Sequence, residues 1–188
     1  MAIEEPNYDI LESAEDFELR RYHSYIVAET VVEEAFDDAG NEGFRRLFSY
    51  ISGENRKKAS ISMTAPVSQE KDYEQISMTA PVNQQSVAGR WRVTFMMPSG
   101  YTLETLPEPI DERVTLKEVE GKLVAALKYS GTWSKKRFEM KKERLESLIQ
   151  ERGLISMGEP VFARYNPPFM PWFMRRNEVL ITVFRPDN

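Results

Sequence analysis

The heptapeptide Ile-Ser-Met-Thr-Ala-Pro-Val occurs twice, at residues 61–67 and 76–82, seven identities at an offset of fifteen. Its chemistry narrows what either copy can be. Ile and Met supply packing surface, Thr favours extended backbone, and Pro has no N–H to give to a ladder. The rings of Pro66 and Pro81 also drive Ala65 and Ala80 away from helical backbone angles. Each copy is therefore expected to be extended or turning. Two readings stay open: a duplicated strand-to-turn element, or two Met-Thr-Ala-Pro segments lining one site.

Around this pair, strand and helix signals alternate. Tyr8, Ile10 and Leu11 suggest a short strand ending at the acidic stretch 12–16. Phe17, Leu19, Arg21 and His23 then share one parity, with Glu18, Arg20 and Tyr22 on the other, so an unbroken strand aims Arg21 and His23 with Phe17 and Leu19. Residues 25–32 (YIVAETVV) continue as a β-branched strand. The acidic segment 33–43 lacks the alternating ligands and closing Glu of a calcium loop, and reads as a solvated loop. Asn41 is placed to cap a helix carrying Phe44, Leu47, Phe48 and Ile51 on one face and stopping at Gly53.

Residues 83–89 are polar and turn-like. Trp91, Val93, Phe95 and Met97 alternate as a half-buried strand, and 101–112 reads as an extended linker. The signals then repeat. Val114 and Leu116 mark a strand, Glu120-Gly121 a turn, and Leu123, Ala125, Leu127 and Tyr129 a returning strand. Ser134 caps a helix with Phe138, Leu145, Leu148 and Ile149 on its buried face, ended by Gly153. Its basic residues are interleaved with Glu139, Glu143 and Glu146, as on a solvated face rather than a nucleic-acid surface. Strands at 161–165 and 179–184 close the chain. The expectation is one α+β domain over 1–188, its halves at about 8–100 and 110–186, with two helices backing an antiparallel sheet.

Composition excludes much of enzyme chemistry. With no cysteine and one histidine, the chain has no disulfide, thiolate site, cysteine nucleophile or histidine cluster for zinc. Gly-x-Ser-x-Gly and phosphate-cradling Gly-rich loops are absent. A net charge of −5 argues against a nucleic-acid partner. No window is apolar enough to span a membrane, and the first residues do not read as a signal peptide, so a cytoplasmic location is expected. A binding protein is favoured over an enzyme.

The segment 165–177, YNPPFMPWFMRRN, is where binding chemistry concentrates. Its three prolines oppose a helix, so Tyr165, Phe169, Trp172 and Phe173 either cover the core or form a rigid apolar wall with Arg175 and Arg176 at its rim. Such a wall suits a flat apolar ligand carrying carboxylates, as haem, other tetrapyrroles and many amphipathic acids do. Arg56, Lys57 and Lys58 are solvated or pair with a ligand carboxylate. Glu178 reads either as the partner of a nearby arginine or as a carboxylate among apolar walls, raised in pKa and able to act as a general base.

These motifs together resemble the SOUL haem-binding family. The heptapeptide pair is similar to its Met-Thr-Ala-Pro-Val signature. FELRRY (17–22), GFRRLFSYISG (43–53), WRVTFMMPSGYTLETLP (91–107) and YNPPFMPWFMRRNEV (165–179) follow in the family's order and span nearly the whole chain. The resemblance implies two pseudo-symmetric βαββ halves forming a distorted antiparallel β-barrel with two flanking helices, a fold shared with bacterial effector-binding domains. It also implies non-covalent haem or tetrapyrrole binding in a carrier, buffer or sensor. Some members place a ligating histidine directly before the tyrosine of the FELRRY-like strand. Arg21 stands there in this chain, and His23 lies two residues on. Others hold haem through apolar contact and basic residues, and Met63, Met78 or Tyr165 are further candidate ligands. Among the effector-binding relatives, a groove glutamate binds cationic ligands and some act as hydrolases. That leaves a different amphipathic effector, or a hydrolase using Glu178, as alternative readings.

Overall fold

The computed structural model describes residues 3–57 and 72–186, so the first heptapeptide, with Met63, lies outside the described residues. In chain order the elements are β1 (Tyr8–Ala14), β2 (Phe17–Tyr22), β3 (Tyr25–Val32), α1 (Phe36–Ser52), β4 (Asn55–Arg56), β5 (Val82–Val87), β6 (Arg90–Met96), β7 (Glu108–Pro109), β8 (Thr115–Val119), β9 (Lys122–Tyr129), α2 (Lys135–Glu151), β10 (Ile155–Arg164) and β11 (Asn177–Phe184). A 3₁₀ turn at Trp172–Met174 precedes β11. β4 and β7 pair only with each other.

The remaining nine strands form one antiparallel sheet, ordered β1-β2-β9-β11-β10-β5-β6-β3-β8. Leaving β1 aside, the order is palindromic about β10 and β5. Each half's first strand is handed to the other half: β2 pairs with β9, and β8 pairs with β3. This is the two-halved α+β architecture expected. Among the described residues no ladder joins β8 back to β1, so the strand pairing leaves the sheet open rather than closing it as a barrel.

Both helices pack on one face. α2 lies over β9, β10 and β11, burying Phe138, Leu145 and Ile149 against Phe17, Leu19, Phe162, Val179 and Ile181. α1 lies over β3 and β6, with Leu47 and Ile51 against Ala28, Val93 and Phe95. Each such side chain, fully buried, contributes about 1.5–3 kcal/mol. Ser134 caps α2 as expected, its hydroxyl accepting from the Arg137 N–H. The other face carries a smaller cluster of Tyr22, Val124, Ala126, Ala163 and Leu180.

Four local expectations need correction. α1 begins at Phe36 rather than after Asn41, because Phe36 is anchored against Phe138 and Phe162, ring centroids 5.8 and 5.6 Å away. Asp37 and Asp38 then sit in the first turn, where the helix dipole favours them. The polar stretch after Pro81 is the central strand β5 rather than a turn. Gln84 is tolerated there because its amide donates to the Phe36 carbonyl at 2.7 Å. β1 runs through a register shift between Ile10 and Glu12 into the acidic stretch expected to stop it, ending at Ala14 before Glu15 and Asp16. Finally, β10 starts at Ile155, six residues before its apolar signal, because it ladders onto β11 from there.

Candidate functional site

At the shared end of β5 and β10, Val82 stands opposite Arg164 on the ladder. Above them a cleft of about 220 Å³ opens between α1 and the segment after β10. Phe44 and Phe48 of α1 form one wall, stacked at 5.7 Å, and Trp133, Pro167 and Pro168 form the other. Met78, Thr79 and Ala80 of the second heptapeptide close one side. Residues 76–81 of that copy carry no ladder, and its last residue, Val82, opens β5. The segment is tied down by Ile76 N–H to Ile51 O (2.8 Å) and by the Thr79 hydroxyl to Met96 O (2.6 Å).

Gly40 sets the floor of this cleft. A Cβ there would lie 2.8 Å from Gln84 Oε1 and 3.0 Å from Arg164 Nη2, so its absence leaves room for the guanidinium. Arg164 gives one hydrogen bond, Nη2 to Gln84 Oε1 at 3.1 Å, and lies over the rings of Phe162 (4.9 Å) and Trp133 (5.1 Å). Among the described residues its buried Nε has no hydrogen-bond partner. Burial pulls its pKa down to about 10, against the opposing influence of Asp37 and Tyr129. A cation with an unmet donor in an otherwise apolar cleft is the chemistry that receives a carboxylate.

The walls are braced. Trp133 donates from Nε1 to Asn177 Oδ1 at 2.8 Å, and Asn177 in turn donates to the Gly131 carbonyl at 3.1 Å. Arg175 lies 4.3 Å over the Trp133 ring and donates to the carbonyls of Pro168 (2.7 Å) and Met170 (2.8 Å). It staples its own loop. Beyond that staple Phe169 is 86% exposed and Trp172 and Phe173 more than half exposed, so the aromatic segment is open surface rather than core cover.

On the helix-free face, Arg20 and Glu178 are wholly buried. They are joined by two hydrogen bonds of 2.7 and 2.9 Å. Arg20 Nε also binds Glu18 (2.7 Å), which is paired with Lys128. Glu178 further accepts from the Tyr165 hydroxyl (2.8 Å) and Arg176 Nε (3.1 Å), while Arg176 reaches Glu5. Burial by itself would raise the Glu178 pKa, but the hydrogen bond and charge of Arg20, then Arg176 and Tyr165, hold it below its ordinary 4.5. A carboxylate so stabilised, with both oxygens occupied, is the arginine-paired structural residue and is not poised as a general base.

The residues singled out in the sequence therefore separate. Met78 and Tyr165 line the cleft. Arg176 and Glu178 belong to the buried cluster, and the Tyr165 hydroxyl joins them. Arg21 and Lys57 are exposed. His23 lies just past the end of β2, exposed and 3.0 Å from Asp9, away from the cleft. Two arginines escaped attention, Arg20 and Arg164. Alternation held the signal for both: Arg20 shares its parity with Tyr22, and Arg164 shares the core-facing parity of Phe162. Among the described residues no three His, Cys, Asp or Glu side chains cluster as for a metal ion, and no helix is long and apolar enough to cross a membrane.

Comparison with known proteins gives this architecture relatives. The family model "SOUL heme-binding protein" matches residues 3–182. Heme-binding protein 1 of Xenopus laevis is 26% identical over 164 residues, covering 87% of this chain and 81% of that one. Heme-binding protein 2 of Homo sapiens is 28% identical over 185 residues, covering 95% and 85%. Among solved structures, the EcmrR C-terminal domain superposes with a TM-score of 0.57 at 8% identity, covering 95% of this chain and 99% of that one. A hydrolase from Listeria innocua gives 0.58 at 11%, covering 93% and 94%. At such identities these two structures share the fold alone.

Proposed function

Because this chain belongs to the SOUL haem-binding family, we propose that it binds haem or a related tetrapyrrole in the cleft between α1 and the 165–168 segment, as a reversible carrier or buffer. One observation carries the reading: Arg164, a half-paired guanidinium at the floor of an apolar cleft. A tetrapyrrole with acidic side chains presents the complement, an apolar ring to lie along Phe44, Phe48 and Pro167 and a carboxylate to meet Arg164.

At about 220 Å³ the cleft is smaller than the roughly 300–1,000 Å³ that encloses a drug-sized ligand. The ring is therefore held at one edge, and the exposed Phe169, Trp172 and Phe173 next to the cleft offer surface for the remainder. Bound haem would supply a redox-active, Lewis-acidic iron; the chain's own side chains bind and orient the ring. Among the described residues no histidine lines the cleft, and Met78 is its one thioether. Holding by faces and charge rather than by a strong axial ligand suits reversible exchange over permanent retention.

Titrating the protein with haemin, and in parallel with iron-free protoporphyrin, tests this. Saturation at one equivalent is expected for both, with similar affinity. Arg164→Gln should weaken binding by about tenfold, the worth of one charged hydrogen bond, and His23→Ala should leave it unchanged. Absence of saturation by either ring, or an Arg164→Gln variant that binds like the parent, would overturn the reading.

A further inference from the structure

The first half of the sheet has its own polar collection on the helix-free face. Val27 and Glu29 of β3, Arg92 and Thr94 of β6, and Lys117 and Val119 of β8 line a groove of about 270 Å³, completed from the central strands by Asn83 and Val161. Glu29 lies between two cations, 2.6 Å from Lys117 and 3.4 Å from Arg92. Lys122, at the start of β9, adds a third. Its ammonium has no hydrogen bond or ion pair among the described residues, and burial, then the charges of Lys117 and Arg92, pull its pKa down. The one further carboxylate is Glu118, exposed at the rim. Among the described residues three cations thus face two carboxylates, and Lys122, half-buried, is the cation without an ion pair.

Unmet hydrogen bonds mark the same place. Five buried side-chain polar atoms have no hydrogen-bond partner of good geometry among the described residues, and three belong to this groove: Asn83 Oδ1, and Arg92 Nε and Glu29 Oε2, which meet each other only as an ion pair at 3.4 Å. A fourth is Arg164 Nε, in the apolar cleft. Folded chains rarely leave such atoms unpaired, and a bound molecule is one way they are satisfied. The two cavities also differ in chemistry, so one ligand does not serve both.

We infer that this groove is a second binding site, for a small organic anion that carries a hydroxyl, such as a hydroxycarboxylate. Its carboxylate is received by Lys122 and Arg92, its hydroxyl donates to Asn83 Oδ1, and its carbon frame lies against Val27, Val119 and Val161. The excess positive charge sets the sign of the ligand, and the buried amide acceptor calls for a donor that a bare anion lacks. The valines favour an organic skeleton over an inorganic ion.

Calorimetric titration of the full chain with L-malate and, separately, with inorganic phosphate tests the inference. Malate is expected to bind at one equivalent and more tightly than phosphate. Lys122→Met, which keeps the aliphatic stem, should weaken malate at least tenfold while leaving the urea midpoint in place. Arg92→Gln should weaken it as a second, independent variant. Arg164→Gln should bind malate as the parent does, and saturating malate should leave the haemin titration unshifted. No saturable heat with millimolar malate, or malate binding that neither variant changes, would overturn the site. Phosphate binding as tight as malate would overturn the organic, hydroxyl-bearing part of the assignment.

Discussion

In the second half of the sheet, Arg20 on β2 and Glu178 on β11 lie under Tyr8, Tyr22 and Tyr165, with Arg20 centred 4.5 Å from the Tyr8 ring. In the first half, Glu29 on β3 and Arg92 on β6 occupy the same face, with Lys117 44% exposed beside them. The palindromic sheet offers both halves a polar position on its helix-free side. In one it is sealed by the N-terminal segment and its tyrosines, and every charge is paired at hydrogen-bond distance. In the other it is open, and pairing is incomplete. Burial decides how such groups behave: sealed charges must be satisfied internally, whereas open ones keep water or a ligand as partner.

The largest effect is expected at Arg20. Arg20→Met leaves Glu178 buried with only Arg176 and Tyr165, and a loss of about 3–5 kcal/mol is expected in urea unfolding. Adding Glu178→Met should cost less than Arg20→Met alone, because it removes the stranded charge. If the double variant is the less stable of the two, the cluster is not a coupled charge pair.

Acid sharpens the same contrast. Glu178 and Glu18 both hold their carboxyls below the ordinary 4.5, so the folded state binds their protons less tightly than the unfolded chain does. For Glu18 too, burial opposes this, and the bonds from Lys128 and Arg20 prevail. Their contribution is present above 4.5 and is lost as pH falls below it, through the depressed folded values. Glu178→Gln should flatten the fall in stability below pH 4.5, measured by denaturation at a series of pH values. An unchanged slope would detach Glu178 from it.

The helices differ as the polar clusters do. α1 carries Gly40 and Gly43 on its sheet-facing side, whereas α2 has no glycine. A Cβ at Gly43 would fall 2.4 Å from Val93 Cγ2, so Gly43→Ala should push α1 off β6 at a cost of about 1–3 kcal/mol, read by thermal or urea unfolding. The smallest effect belongs to the open half. Glu29→Gln keeps the shape of a half-buried side chain whose partner Lys117 is 44% exposed, and should change stability by about 1 kcal/mol, well below the loss at Arg20. A loss equal to that of Arg20→Met would erase the distinction between the halves.

Spacing made a good part of this legible. The apolar face of α2, its Ser134 cap and the strands at β2, β3, β6 and β9 follow from neighbours a few residues apart, where backbone preference and periodicity act. The segment before β11 stood out for its prolines, aromatics and closing arginines, and its Phe169, Trp172 and Phe173 are exposed.

Local spacing thus carries the α+β pattern, the repeat of strands, helix and strands, and the location of the unusual apolar segment. Which arginine does what depends on the folded arrangement. Arg20 and Arg21 are adjacent and chemically identical, yet one is sealed against a carboxylate 158 residues away and the other is exposed. Arg164 and Arg175 both touch Trp133, but Arg175 spends its donors on loop carbonyls while Arg164 keeps one unmet. Likewise the amide-rich β5 is a central strand only because β10 and β6 flank it. The physical reason is common to all three. Periodicity says which residues share a face, but what covers that face, and so whether a charge is paired, buried or left for a ligand, is set by chain segments that meet only in the fold.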